Sequence, residues 1–523
     1  MKKQPTKPKG KWSLTPANFV TLILVIVTTF LFVIRLTGPT NILDNDQERP
    51  AAYVLDAAVN HHWISQTDWT GDITSKPPLY TWLAALATVT MGKGEISLLT
   101  LYLPCYLAVL GTAILIFRLG RKRFGWRASA IASLMFVLSP LGMKMVTLAR
   151  TDPLFAFTIT LTAALGYRAW TRGKGWTWFW LAAAASGLTK GPLGLLLASG
   201  GFLSYFWPNR AENGKMSVAS QSRALPQQTR FWKAIPGILL YLLIVGGWFW
   251  MAYRYQGEAL VNKMIRSELV DHAVSSSYGI PGQGLILTPL YLLSRFLPWS
   301  LLGFLGIYFL FRKPAENVEE RNFERFLAAW IIIGCVILGM GAHQRGDLVL
   351  PLVPPMALLG GRLMDRWLTV KKPTLKDGLF LQSLIVMSSV VLMFMGAYSR
   401  FIFAKQEVVQ KSMCIPKIAA DFRELGYDKE PMAHWGSPFA LQFEMNTMKL
   451  ELSNEQLISL LNSDIPALIS ISNEEALTEI LPQGTPYRVV FRSYFHKEPL
   501  VFVIANSAWS KTQTELNSSS RFF

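Results

Sequence analysis

Residues 379–403, LFLQSLIVMSSVVLMFMGAYSRFIF, carry no charged side chain before Arg400. A stretch of that length and composition spans the roughly 30 Å hydrocarbon layer of a membrane as a helix. Phe19 to Leu36 and Ile235 to Tyr253 read the same way. The chain as a whole is 51% hydrophobic, with a mean hydropathy of +0.29, 18 Trp and 31 Phe among 523 residues. These values exceed what a soluble core of this length needs, so a soluble class is excluded in favour of a polytopic membrane protein.

The formal charge of +18 is unevenly spread. Residues 404–523 hold 11 Lys and Arg against 14 Asp and Glu, a net of −3, so the basic excess lies in the apolar part. There it clusters in short connections, as cytoplasmic loops do, which argues against nucleic acid as a partner. Of the three cysteines, Cys105 and Cys335 sit in apolar runs and Cys414 stands alone in the tail, so neither a disulfide framework nor a Cys-based metal site is encoded.

Placing the basic residues 1–17 in the cytoplasm, with the first apolar run retained as a helix, sets the topology. The run predicts spans near 18–36, 97–117, 128–142, 153–170, 176–189, 191–206, 234–253, 285–311, 326–342, 348–364 and 378–403. That is about eleven transmembrane helices over 18–403, with every short basic loop inside. Residues 37–96 then form the first outer loop, whose segments Pro50 to Trp63 and Leu79 to Met91 read as surface-lying helices. Residues 404–523 fall outside as a small α/β domain, with strand-like runs at Pro466 to Ser472, Tyr487 to Phe495 and Leu500 to Ala505 around a polar helix at Asn473 to Ile480.

Chemistry-bearing residues gather on the outer side. Asp44, Asp46 and Glu48 lie within five residues of one another after the first span, and Arg150-Thr151-Asp152-Pro153 is placed on the same surface by topology. Either acid set could be only a helix cap. Sugar transfer from a phosphate leaving group needs a carboxylate that takes the acceptor proton and cations that hold the phosphate. Lys76-Pro77-Pro78, Lys190-Gly191-Pro192 and His343-Gln344-Arg345-Gly346-Asp347 put basic groups at outer helix ends, where such cations are otherwise scarce. The loop 254–284, with Arg266, Glu268, Asp271 and His272, is placed to close over substrate or to lie as an amphipathic interfacial helix. His61 and His62 point about 100° apart on a helix and do not pair as metal ligands.

These motifs resemble, in order, those of the bacterial GT-C glycosyltransferases related to aminoarabinose transferase and protein O-mannosyltransferases. The resemblance runs through Asp46, Arg49, Ala51-Ala52-Tyr53, Trp63 and Ser75-Lys76-Pro77-Pro78-Leu79-Tyr80. It continues through Ala149 to Pro153, Gly187 to Pro192, Phe296-Leu297-Pro298-Trp299 and His343 to Pro355, covering about residues 40–360. It implies an all-α polytopic GT-C-like domain that transfers a sugar, with inversion, from a polyprenyl-phosphate donor to a lipid, glycan or protein acceptor. By the same resemblance Asp46 is the catalytic base, and Asp152 supports the acceptor site or a divalent metal ion. Lys76, Lys190, Arg345 and Arg49 contact the donor phosphate, while Glu268, His343 and Glu48 are candidates to face substrate. A bacterial cytoplasmic membrane and an undecaprenyl carrier follow by the same analogy. One departure is that Gln47 follows Asp46 where many relatives carry a second acid, which leaves Asp44 or Glu48 as the alternative acid and keeps open a catalytically silent relative. A transporter or flippase would place its polar residues at mid-membrane on repeated, broken helices; no such repeat is visible.

Overall fold

The computed structural model describes residues 15–207, 234–271, 282–509 and 521–522, apart from positions 41, 44, 373, 375 and 497. Asp44, His272 and the polar loop 209–230 lie outside the described residues.

Helix α1, Pro16–Leu36, starts at a proline whose missing N–H is no loss in a first turn, with Thr15 as its cap. Helix α2, Asn45–Val59, follows, then α3, Leu79–Thr90, and α4, Leu98–Gly120, which opens on a capping box between Ser97 and Thr100. The expected span 128–142 is two pieces, α5 (Gly125–Val137) and α6 (Pro140–Met145). Ser139 breaks it by accepting from Gly142 N at 3.0 Å, so Pro140 begins a new helix instead of kinking the old one. Antiparallel α7 (Asp152–Arg172) and α8 (Trp176–Lys190) come next, followed by α9 (Leu193–Ser199).

Beyond these, Pro298 divides the expected span 285–311 into helices Gly284–Arg295 and Trp299–Arg312. Among the described residues six helices have the length and composition to cross a membrane: Pro16–Leu36, Leu98–Gly120, Ile235–Gln256, Val318–Gly339, Gly346–Lys371 and Asp377–Lys405. The last two of these include short 3-10 turns at one end. Shorter apolar helices accompany them, and the protein is a multi-pass membrane protein.

The helices pack closely through small residues, the means available where lipid removes the hydrophobic drive between spans. A Cβ on Gly361 would stand 2.5 Å from Ala128 O, and one on Gly303 would stand 2.8 Å from the Met356 sulfur. Phe117, Phe136, Phe323, Phe326 and Trp330 are wholly buried between them.

Helix α2 lies deeper than the surface-lying helix expected from its sequence. Ala51, Ala52, Val54, Leu55 and Ala57 are fully buried, because α2 is packed by α3 and by the tail helix Phe439–Glu444. Helix α3 keeps the expected two-faced character, with Tyr80, Ala84 and Ala85 buried and Leu86 and Val89 exposed.

The tail contains helix Glu407–Glu424 and a five-stranded sheet of β1 (Met432–His434), β2 (Leu468–Ile471), β3 (Arg488–Phe495), β4 (Glu498–Ala505) and β5 (Arg521–Phe522), in the order β1-β2-β4-β3-β5. β1/β2 and β3/β5 are parallel, and the other neighbours are antiparallel. The tail docks on the first loop. Ser412 Oγ accepts from Ile42 N at 3.0 Å, Asn446 binds Ile96 N and Gly94 O at 3.0 and 3.1 Å, and Glu451 N donates to Trp69 O at 2.7 Å.

Candidate active site

Asp46 sits in the first turn of α2, where exposed backbone N–H groups favour an anion. Its neighbour Gln47 is fully buried, and Gln47 Oε1 accepts from Tyr102 OH at 3.4 Å and from Ala149 N at 3.3 Å. These bonds pin the start of α2 to α4 and to the segment between α6 and α7. Cys105 Sγ donates to Arg150 O at 3.3 Å and holds that same segment from α4.

The result brings Arg150 to Asp46. Arg150 donates through Nη2 to Asp46 and through Nη1 to Asp347 at 2.8 Å, so one guanidinium joins two carboxylates. Lys144, near the end of α6, closes on Asp347 at 2.7 Å. Arg345 also grips Asp46, with both terminal nitrogens, one at 3.2 Å.

The loop that carries Arg345 and Asp347 is fixed by Gln344. Its Nε2 donates to Leu338 O and Gly341 O at 3.0 and 2.7 Å, and its Oε1 accepts from Thr288 Oγ1 at 3.2 Å. The Arg295 side chain lies against Gly346, where a Cβ would fall 2.4 Å from Arg295 Nε. That guanidinium is therefore a further cation beside the loop.

Asp152 begins α7 and Lys190 ends α8, and the two form an ion pair in which each side chain is mostly buried. Both charges also complement the dipoles of the helices they terminate. The charge of Asp152 is felt at Asp46. The full constellation thus holds three carboxylates, Asp46, Asp152 and Asp347, and four cations, Lys144, Arg150, Lys190 and Arg345. Its net positive charge suits an anionic ligand.

Burial is the largest influence on the Asp46 carboxyl and pushes its pKa up. The hydrogen bond from Arg345 and the charges of Arg150 and Arg345 together outweigh it and hold the pKa below the usual carboxylate value. Arg345 is held above its ordinary value, chiefly by its hydrogen bond to Asp46.

Not every expected residue joins these ion pairs. Arg49, one turn on from Asp46, pairs with Asp68 at 3.6 Å and Asp72 at 3.7 Å, and Lys263 joins Asp72 at 2.9 Å. This group is distinct from the ion pairs on Asp46, because positions 46 and 49 of one helix are recruited by different neighbours. Glu48 is buried and Arg49 half-exposed. Lys76 lies in the turn before α3, its N–H donating to Thr74 Oγ1 at 3.4 Å. His343 is half-buried in the Arg345 loop. Glu268 belongs to the helix Val261–Asp271, with its side chain outside the described residues. His62 Nδ1 lies 3.0 Å from the buried Asp56 carboxylate, and His61 has a φ of 61°, so they turn the chain after α2. Among the described residues no three His, Cys, Asp or Glu side chains converge as a metal site.

Lys144, Asp347, Arg295 and Lys263 were not singled out from sequence. Lys144 has one legible signal, a charge directly after an apolar run. Asp347 has none, since its position beside Arg345 reads equally as a loop acid.

Residues 75–211 match the family of dolichyl-phosphate-mannose-protein mannosyltransferases. A Bacillus subtilis (strain 168) protein named "Putative mannosyltransferase YycA" is 29% identical over 130 residues, which span 25% of this chain and 18% of that protein. Among solved structures, ArnT from Cupriavidus metallidurans bound to undecaprenyl phosphate aligns over 95% of this chain and 100% of its own, with a TM-score of 0.68 at 16% identity. The oligosaccharyltransferase AglB from Archaeoglobus fulgidus, in complex with an inhibitory peptide and a dolichol-phosphate, aligns over 88% of this chain and 70% of its own, with a TM-score of 0.50 at 12% identity. The fold is that of ArnT, and the resemblance read from the ordered motifs is borne out.

Proposed function

We propose that this GT-C-fold membrane protein is an inverting glycosyltransferase, which moves a sugar from a polyprenyl-phosphate donor to a lipid, glycan or protein acceptor. The observation that carries the reading is the convergence of Asp46 with Arg150 and Arg345 from three separate parts of the chain. A carboxylate next to a surplus of cations is what single displacement at an anomeric carbon requires. Asp46 takes the proton of the acceptor hydroxyl or amine, the acceptor atom bonds to the anomeric carbon, and the bond to the phosphate oxygen breaks. The electron pair leaves with polyprenyl phosphate, whose added charge is met by Arg345, Lys190 and Lys76. Asp152 holds Lys190 in place.

Support comes also from the two solved neighbours, each of which holds a polyprenyl phosphate. The basic loops at the opposite end favour the extracytoplasmic face for the site, in our reading that of a bacterial cytoplasmic membrane, with 18–403 as the transferase domain and 404–523 as an outer domain. The test is release of polyprenyl phosphate by purified protein given a panel of polyprenyl-phosphate sugars and a membrane lipid extract, for wild type and Asp46→Asn. Turnover that vanishes in the variant supports the reading. Absence of turnover with every donor, or full turnover in Asp46→Asn, overturns it.

A further inference from the structure

Arg150 and Arg345 both bind Asp46, but they are not equivalent. The Arg345 side chain is 42% exposed and the Arg150 side chain 9% exposed. Arg345 has Asp46 as its ion-pair partner, whereas Arg150 is also held by Asp347, itself 10% exposed and braced by Lys144. A carboxylate gripped by two guanidiniums is a poor base, since each of them stabilises the form without the proton. For Asp46 to accept a proton at least one must let go. An incoming phosphate competes for a guanidinium with the same forked geometry that a carboxylate offers.

We propose that Asp347 is a positioning residue that tethers Arg150 beside Asp46, leaving Arg345 as the guanidinium that transfers from Asp46 to the lipid phosphate when that ligand binds. The base is then masked in the empty enzyme and released once the phosphate is seated, which couples proton acceptance to donor occupancy. Arg150 stays behind and keeps Asp46 oriented. This inference rests on the proposed role of Asp46 and goes beyond it by giving the two arginines different jobs and Asp347 a place in the site.

Other titratable groups on the elements around Asp46 do not supply the exchange. From α4 come Tyr102, bound to Gln47, and Cys105, bound to the Arg150 carbonyl. From α7 comes Asp152, already neutralised by Lys190 of α8. From α6 comes Lys144, turned to Asp347. On α2 itself Glu48 is buried and Arg49 is committed to Asp68 and Asp72. The exposed partner is Arg345.

The exchange predicts that phosphate binding drives proton uptake by Asp46, because the carboxylate loses a cation. The experiment measures affinity for undecaprenyl phosphate, the class of the leaving product, between pH 4 and 7 in wild type, Asp46→Asn, Arg345→Gln, Asp347→Asn and Asp347→Glu. The ligand titrates alike in all of them, so the difference between wild type and Asp46→Asn isolates the Asp46 proton. Wild-type affinity is expected to rise relative to Asp46→Asn as pH falls, and this excess is expected to vanish in Arg345→Gln. In Asp347→Asn the untethered Arg150 follows the phosphate, so the excess should extend to higher pH, and Asp347→Glu should restore the wild-type curve.

Parallel curves for wild type and Asp46→Asn would overturn the exchange. An Asp347→Asn curve that matches wild type or shifts to lower pH would overturn the tether, because loss of the Asp347 charge alone favours an unprotonated Asp46. These readouts need no turnover. Failure of the transferase reading shows separately, as an Asp46→Asn variant that still transfers sugar.

Discussion

Lys190, the last residue of α8, is ion-paired with Asp152, the first residue of α7, at 13% and 15% side-chain exposure. The pair fastens the two helices at the end where Asp46 stands, so a residue expected to bind phosphate is also one half of a structural clip. Removing Lys190 leaves a mostly buried carboxylate without its direct ion-pair partner. Lys190→Met is expected to lose about 3–5 kcal/mol of stability, read by thermal unfolding in detergent. The double variant Lys190→Met/Asp152→Leu should regain most of that stability without regaining transfer.

The two acids of the first loop should differ sharply. Asp46 faces Arg150 and Arg345, whereas Glu48 is buried on another side of α2. Asp46→Asn should cost roughly 10²–10⁴-fold in kcat, the range for a general base, while Glu48→Gln should stay within about tenfold of wild type. Steady-state kinetics on both variants with the same donor decide the assignment.

Gln47 stands between Asp46 and Glu48 as the one uncharged residue of the three. It is wholly buried, with Tyr102 OH and Ala149 N on its side-chain oxygen. Gln47→Glu would bury a carboxylate in place of a neutral amide, and is expected to destabilise the fold by about 1–3 kcal/mol. A Gln47→Glu protein as stable as wild type in a denaturation series would contradict this account of the substitution.

The tail has a pH dependence of its own. His434 is buried on β1 with Nδ1 2.6 Å from Ser470 Oγ. Burial, helped by the charge of Lys449, pushes its pKa down to about 3. The unfolded histidine, at its ordinary value near 6.5, takes a proton that the folded one refuses. Stability of the tail is therefore full above about pH 6.5 and falls by about 1.4 kcal/mol per unit as pH drops toward 3. His434→Gln should remove this slope when unfolding of the full chain is followed through Trp435 and Trp509 fluorescence between pH 4 and 8.

The apolar runs, the basic loops and the strand-like segments of the tail were legible in sequence because each depends on local composition. A run such as 379–403 has one low-energy answer in lipid whatever its neighbours do. Breaks at Ser139 and Pro298 were harder to see, since an apolar run interrupted by one proline can either kink or restart, and the packing partners choose. The ordered motifs were enough to place Asp46, Asp152, Lys190 and Arg345 at one end of the helices.

What pairs with what was decided by the tertiary structure alone. Asp46 and Arg345 are 299 residues apart in the chain, and Arg150 and Asp347 are 197 apart. Residues at such separations have no periodicity to relate them; they meet because Gln47 and Gln344, two uncharged side chains, anchor α2 and the 341–347 loop. Arg49 shows the converse. Its spacing from Asp46 is fixed by one helical turn, yet Asp68, Asp72 and Lys263 draw it into a different cluster. Sequence specifies which charges exist and at which end of the membrane helices they emerge. The fold, by closing long loops over buried polar anchors, determines which charge neutralises which and so which of them remains able to react.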